Sequence, residues 1–165
     1  MTTYAIDIES AHDPALVADT LAHPPVFTSP SNYKQPLAIS EYVARAAADW
    51  RVSVIDKAAL SPLTGRVVAW TLAGVHGSLT VTGLEPGDEG GLLRRLLDTL
   101  EQERPSQIVT FNGEGFDVPF LRWRLLRHGL RRPALLAPQK PWDAFPRLAL
   151  RLVLNDGDKR APGTL

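Results

Sequence analysis

The sequence has no cysteine. That excludes disulfides, thiolate metal sites and cysteine nucleophiles. It has no excess charge either: 18 basic residues face 18 acidic ones, for a formal net charge of zero. Non-specific nucleic-acid binders are usually basic overall, so the global charge argues against that class, though not against a local basic patch. No apolar run approaches the ~20 residues of a membrane span, and no N-terminal segment has the form of a signal peptide. The expectation is a cytoplasmic protein with no membrane partner. There is no internal repeat, no low-complexity tract, and no serine in a nucleophile-elbow context. What is present is 165 residues, 44% of them hydrophobic. That is enough for one domain with a real core.

Residues 4–9 read as a strand. The stretch 12–36 is broken by prolines and reads as loop, with a short helical turn near 14–21. Residues 36–60 read as a helix, with Pro36 in its first turn and an apolar stripe at Tyr42, Ala46, Trp50, Val54 and Ala58. Two strands, 66–75 and 78–83, are joined around His76-Gly77. A leucine-striped helix covers 89–103; "GDEGG" (87–91) is its entry and not a phosphate loop. A short buried strand at 107–111 leads into a helix at 117–129, closed by Gly129. Residues 132–138 read as loop. Residues 141–154 fit either a strand entering a helix or a helix interrupted by Pro146, and 155–165 read as a polar tail. This order predicts an α/β fold: a mixed sheet flanked by helices, with a helical insert at about 12–64 after the first strand.

The segment "AIDIES" (5–10) poses a problem. Strand side chains alternate between faces, so Ile6 and Ile8 point one way and Asp7 and Glu9 the other. The two acids lie roughly 7 Å apart. On a buried strand they repel and are costly to desolvate, so a positive partner is required. An arginine, a lysine, simple edge exposure or a divalent cation would each serve.

"VTFNGEGFDVPFLRWRLLRHGL" (109–130) adds a second constellation. A buried strand ends at Phe111, a polar glycine-bearing turn follows, and Asp117 opens a helix. Acids at helix starts are often only caps or dipole partners. In open α/β sheets, however, ligands gather just beyond the carboxyl ends of the strands. If the strand at 107–111 lies beside the first one, Asp7, Glu9 and Asp117 converge. Such oxygen donors suit Mg²⁺ or Mn²⁺, and two such ions support phosphodiester hydrolysis.

"AIDIES" followed by "FNGEGFDVPFL" resembles the first two motifs of the DEDD-type 3′–5′ exonucleases, which have a ribonuclease H-like fold. It is most similar to the proofreading domain of family B DNA polymerases and its stand-alone relatives. Residues 32–70 resemble the insert of phage-type members. The resemblance implies three antiparallel strands followed by parallel ones. It also implies that Asp7, Glu9 and Asp117 bind two Mg²⁺ or Mn²⁺ ions in hydrolysis of the 3′ end of single-stranded or frayed DNA. Asn112 and Phe116 match positions that line the site near the 3′-terminal nucleotide, and Ser10 follows the acidic pair. "PWDAF" (141–145) is similar to a segment of the next strand, with Asp143 read as structural.

The sequence also departs from the family. The family carries a fourth acid on a later helix, a few residues after a Tyr or His. Here no Tyr follows Tyr42, the last His is His128, and Asp156 and Asp158 read as a turn. The expectation is a domain without the final helix, either a C-terminal truncation, a chain completed by another polypeptide, or an inactive binding or assembly module. Exposed apolar surface would then favour a homodimer or a replication or repair partner. Two smaller features remain. The arginines of 121–132, Arg122 among them, read equally as a phosphate-contacting surface or a solvated helix face. Trp50, Trp70, Trp123 and Trp142 read as core or half-buried packing rather than base-stacking residues.

Overall fold

A computed structural model of the protein describes residues 2–74, 80–84, 87–137 and 147–154; for residues 80–84 and Leu152 the backbone alone is described. The His76-Gly77 turn, Trp142, Asp143, Asp156 and Asp158 lie outside the described residues.

The elements in chain order are β1 (Thr3–His12), α1 (Pro14–Ala22), α2 (Pro36–Asp56), β2 (Gly65–Gly74), β3 (Thr80–Leu84), α3 (Glu89–Glu103), β4 (Gln107–Thr110), α4 (Asp117–Arg127), β5 (Arg147–Ala149) and α5 (Leu150–Leu154), with short 3₁₀ turns at Ala58–Leu60 and Ala134–Leu136. Of the stretch 141–154, residues 147–154 form a strand that enters a helix, and residues 141–146 lie outside the described residues. A five-residue helix follows the last strand.

The five strands form one sheet in the order β3-β2-β1-β4-β5. β2 and β3 are antiparallel, while β1–β4 and β4–β5 are parallel. The chain divides into two compact units, residues 1–10 with 67–165, and residues 11–66.

In the first unit the core is built from alternation in the strands and helical spacing in α3 and α4. β1 contributes Tyr4, Ile6 and Ile8; α3 contributes Leu92, Leu93, Leu96 and Leu100; α4 contributes Val118, Phe120, Leu121 and Leu125. Trp70 is buried in this core, where its indole N–H donates to the Leu92 carbonyl at 3.0 Å. That bond satisfies the one polar atom of a side chain otherwise suited to a core.

A buried ion cluster ties this unit together. One Glu89 carboxylate oxygen accepts from the Val67 amide at 2.8 Å and from Arg124 Nε at 2.8 Å. The other accepts from Arg124 Nη2 and from His128 Nε2. Burial would raise the Glu89 pKa, but the bonds from Arg124, Val67 and His128 and the Arg124 charge outweigh it, and the carboxyl is held below its ordinary range. Arg124 therefore leaves the arginine surface read from the sequence: it is fully buried.

In the second unit, Asp13 caps α1 by accepting from the Ala15 amide at 3.0 Å. The stripe expected along residues 36–60 is half-buried at Tyr42, Ala46, Trp50 and Val54 and buried at Ala58. The α-helix itself stops at Asp56, and Ala58 lies in the 3₁₀ turn that follows. Phe27 packs edge-on against Trp50 with ring centroids 5.9 Å apart, and Tyr33 packs at a tilt on Tyr42 with centroids 5.2 Å apart.

Candidate active site

The parallel register pairs Thr3 with Gln107, Tyr4 with Ile108 and Ala5 with Val109. Pairing ends there, but β1 runs on through Asp7 and Glu9 while the other strand turns away after Thr110. The two acids therefore stand at the carboxyl edge of the parallel strands, where the βα turn of β4 also lies. Ile6 and Ile8 are buried and Asp7 and Glu9 exposed, as alternation requires. The structure corrects one premise of the sequence reading. The acidic face of β1 opens to solvent, and the buried carboxylate is Asp117, which is only 5% exposed.

The turn that delivers Asp117 is closely built. The Gly113 amide donates to Thr110 Oγ1 at 3.1 Å, and the Phe116 and Val118 amides donate to the carbonyls of Asn112 and Gly113 at 2.9 and 2.8 Å. A Cβ on Gly113 would lie 2.1 Å from Thr110 Oγ1, so only glycine fits. Asp117 is the first helical residue, a position that ordinarily favours the carboxylate. Its pKa is nevertheless pushed up to about 6. Burial is the largest cause. The negative charges of Asp7 and Glu9 add to it, and hydrogen bonds from the amides of Asp117 itself and Ile8 oppose it. The Ile8 amide places the Asp117 carboxyl against β1 between the two exposed acids.

The surrounding residues fall into distinct roles. Asn112 is half-buried, and its Oδ1 accepts from Arg151 Nη1 at 3.2 Å. Phe116 is half-buried against the core and packs on Phe120 with centroids 5.3 Å apart. Ser10 and Arg122 are half-buried. The sequence reading missed Arg147 and Arg151, which tie β5 and α5 to the turn. Arg147 Nε donates to Glu114 at 2.7 Å, its Nη1 donates to the Leu135 and Ala137 carbonyls, and the Arg151 amide donates to the Phe111 carbonyl at 2.9 Å. The signal was available in "RLALR": two arginines four residues apart in an otherwise apolar stretch.

Three carboxylates are the hard oxygen donors that Mg²⁺ and Mn²⁺ prefer, and a cation would relieve the repulsion that lifts Asp117. The donor chemistry fits a divalent ion. Among the described residues, however, no group of three or more His, Asp or Glu side chains stands arranged to hold one. Carboxylates with no cation between them gain by keeping apart.

With this geometry in hand, comparison with known proteins identifies the family. The chain belongs to the family described as predicted 3′–5′ exonucleases related to the exonuclease domain of PolB, whose model matches residues 30–147. The match includes Asn112, Phe116, Asp117 and Arg122, while Asp7, Glu9 and Ser10 precede it. A 43-residue segment is 49% identical to the DNA polymerase epsilon catalytic subunit of Schizosaccharomyces pombe, covering 26% of this chain and 2% of that protein. The fold is similar to the family B DNA polymerase of Pyrobaculum calidifontis, with a TM-score of 0.55 and 18% identity over 94% of this chain and 16% of that one. The chain thus spans a small fraction of both polymerases. Its fold is the ribonuclease H-like fold of a PolB-type exonuclease domain. No helix among the described residues is long and apolar enough to cross a membrane.

Proposed function

We propose that this chain is a divalent-metal-dependent 3′–5′ exonuclease that removes nucleotides from single-stranded or frayed 3′ ends of DNA. One observation carries the reading: a buried carboxyl, Asp117, lies against the strand backbone between Asp7 and Glu9 and has a pKa of about 6. Perturbed carboxylates of this kind cluster at functional sites. Membership of an exonuclease-related family supplies the reaction class.

Asp7, Glu9 and Asp117 would hold two Mg²⁺ or Mn²⁺ ions. Bound there, such ions would supply the positive charge that phosphodiester hydrolysis needs. The rest falls to the chain. Burial and the neighbouring carboxylates leave Asp117 partly protonated near pH 6, so the site favours cations as pH rises past that value. Asn112 and Phe116, on the turn before α4, orient the terminal nucleotide, and Ser10 borders it. Arg122, one turn into α4, contacts a phosphate.

The test is degradation of a 5′-labelled single-stranded DNA with Mn²⁺ or Mg²⁺, beside Asp7→Ala and Asp117→Ala. A ladder shortening from the 3′ end, lost in both variants, supports the reading; equal ladders from all three proteins refute it. A second reading is a non-catalytic nucleic-acid-binding or assembly module on the same fold. It is favoured by the lack of a ready ligand group among the described residues. It predicts strand binding with no cleavage in either metal.

A further inference from the structure

α4 carries two faces of different character. Val118, Leu121 and Leu125 point into the core. Pro119, Arg122, Trp123 and Leu126, spaced i, i+3, i+4 and i+7, form a second stripe along the helix. With Leu130 and Arg132 they line an open depression of about 600 Å³. Its size falls in the range of ligand sites. Trp123 is 54% exposed and Leu126 69%. The sequence reading of Trp123 as a packing residue is therefore corrected: its indole is available to a ligand.

The charge around this depression is one-sided. Residues 118–132 carry five arginines and no acid. Arg124 is neutralised by Glu89. Neither Arg122 nor Arg132 has an ion-pair partner among the described residues. Arg127 and Arg131 are exposed close by in sequence. A protein with zero net charge has concentrated arginines around an exposed indole. An ordinary solvated helix face would balance its charges and would not group Trp, Leu and Pro at its centre.

We infer that this outer face of α4 binds single-stranded nucleic acid, with a base stacked on Trp123 and phosphates on Arg122 and Arg132. An aromatic platform flanked by cations is the combination that single strands require. An acidic peptide would use the cations but has no flat ring to lay on the indole. The inference rests on the nuclease reading for its choice of ligand. Pro119 and Arg122 lie two and five residues from Asp117, within about 8 Å along the helix axis. The stripe lies on the side of the helix away from Asp117, so a strand held there would pass around the first turn of α4 to reach the carboxylates.

The experiment is fluorescence anisotropy of a labelled oligothymidylate in EDTA, so that no hydrolysis occurs. Wild type is compared with Trp123→Ala, Arg122→Gln/Arg132→Gln, and Arg94→Gln as an exposed control on α3. We expect Trp123→Ala to weaken binding about tenfold. The double variant should flatten the dependence of log affinity on log salt by about 1.4, and the control should bind as wild type. Binding by both variants indistinguishable from wild type overturns the inference, whatever the hydrolysis assay gives. So does capture of a polyglutamate peptide in preference to DNA, lost in Trp123→Ala, which would assign the face to a protein partner. Trp123-dependent DNA binding without hydrolysis in Mn²⁺ supports this inference and refutes the nuclease reading.

Discussion

Arg124 holds both carboxylate oxygens of Glu89 with two nitrogens of one guanidinium, Nε at 2.8 Å and Nη2 beside it. The pair is buried, and it locks the start of α3 to the last turn of α4, the helix that begins with Asp117. Removing one member leaves the other charged and without its partner in the core. Glu89→Ala should therefore lower unfolding free energy by about 3–5 kcal/mol, read by denaturant titration. Replacing both residues with apolar ones of similar volume should cost far less. The pH dependence has a definite sign. The folded Glu89 pKa lies below its unfolded value. Its contribution is therefore present above the unfolded pKa and is lost as pH falls through the folded one.

Asp117 behaves in the opposite sense. Its folded pKa, about 6, lies above the ordinary 3.8. In metal-free protein its stabilising contribution is full below about pH 4 and is lost as pH rises through about 6. The change is on the order of 2–3 kcal/mol. Asp117→Asn should flatten that window and make the metal-free protein more stable than wild type at pH 8. Thermal melts across pH 4–8 for the two proteins check this. Parallel curves would mean that Asp117 titrates normally.

Divalent metal should reverse the penalty. Mn²⁺ at about 100 times its Kd should stabilise wild type by about 2.7 kcal/mol. Asp7→Ala and Asp117→Ala should lose most of that gain while folding normally without metal. Calorimetric melts with and without Mn²⁺ measure it. An equal shift in all three proteins would show that the ion binds elsewhere.

The parts of this fold that could be read in the sequence are those governed by local periodicity and punctuation. The leucine spacing of α3 and the Pro after it fixed that helix at both ends, and the alternation around Ile6 and Ile8 gave β1 its buried face. The sequence left the pairing of β1 with β4 as a condition, and the structure meets it. What was not legible came from long-range contacts. Whether Asp7 and Glu9 were buried depended on what covers the other face of β1, which no local pattern states. Arg124 looked like its exposed neighbours, because its partner Glu89 lies 35 residues away in a helix entry. Trp123 looked like core, because an exposed indole and a buried one have the same sequence signature.

The turn between β4 and α4 gives a backbone test of how the site is held. Gly113 has Thr110 where a side chain would go: a Cβ would lie 2.6 Å from Thr110 Cβ, so a simple rotation of the hydroxyl does not make room. Gly113→Ala must shift the turn and should cost about 1–3 kcal/mol. The Val118 amide bonds to the Gly113 carbonyl, so the shift is passed to the first turn of α4 and to Asp117. The expected result is a larger loss of Mn²⁺-induced stabilisation than of fold stability. Gly113→Ala with Thr110→Ser, which removes the methyl contact at 2.7 Å, should recover part of it.

Arg151 acts on the site through another residue. Its Nη1 donates to Asn112 Oδ1, and its backbone amide donates to the Phe111 carbonyl. α5 thus fixes the orientation of the Asn112 amide group from the far side of β4. Arg151→Ala leaves the backbone bond intact and removes only the side-chain grip, so the fold should persist with a loss near 1 kcal/mol. If Asn112 orients the terminal nucleotide, freeing it should raise KM for the 3′ end several-fold with a smaller change in kcat. Asn112→Ala should do the same, and the double variant should add little, since both changes remove one interaction. Full additivity would separate Arg151 from Asn112. An unchanged KM in both single variants would take Asn112 out of substrate binding altogether.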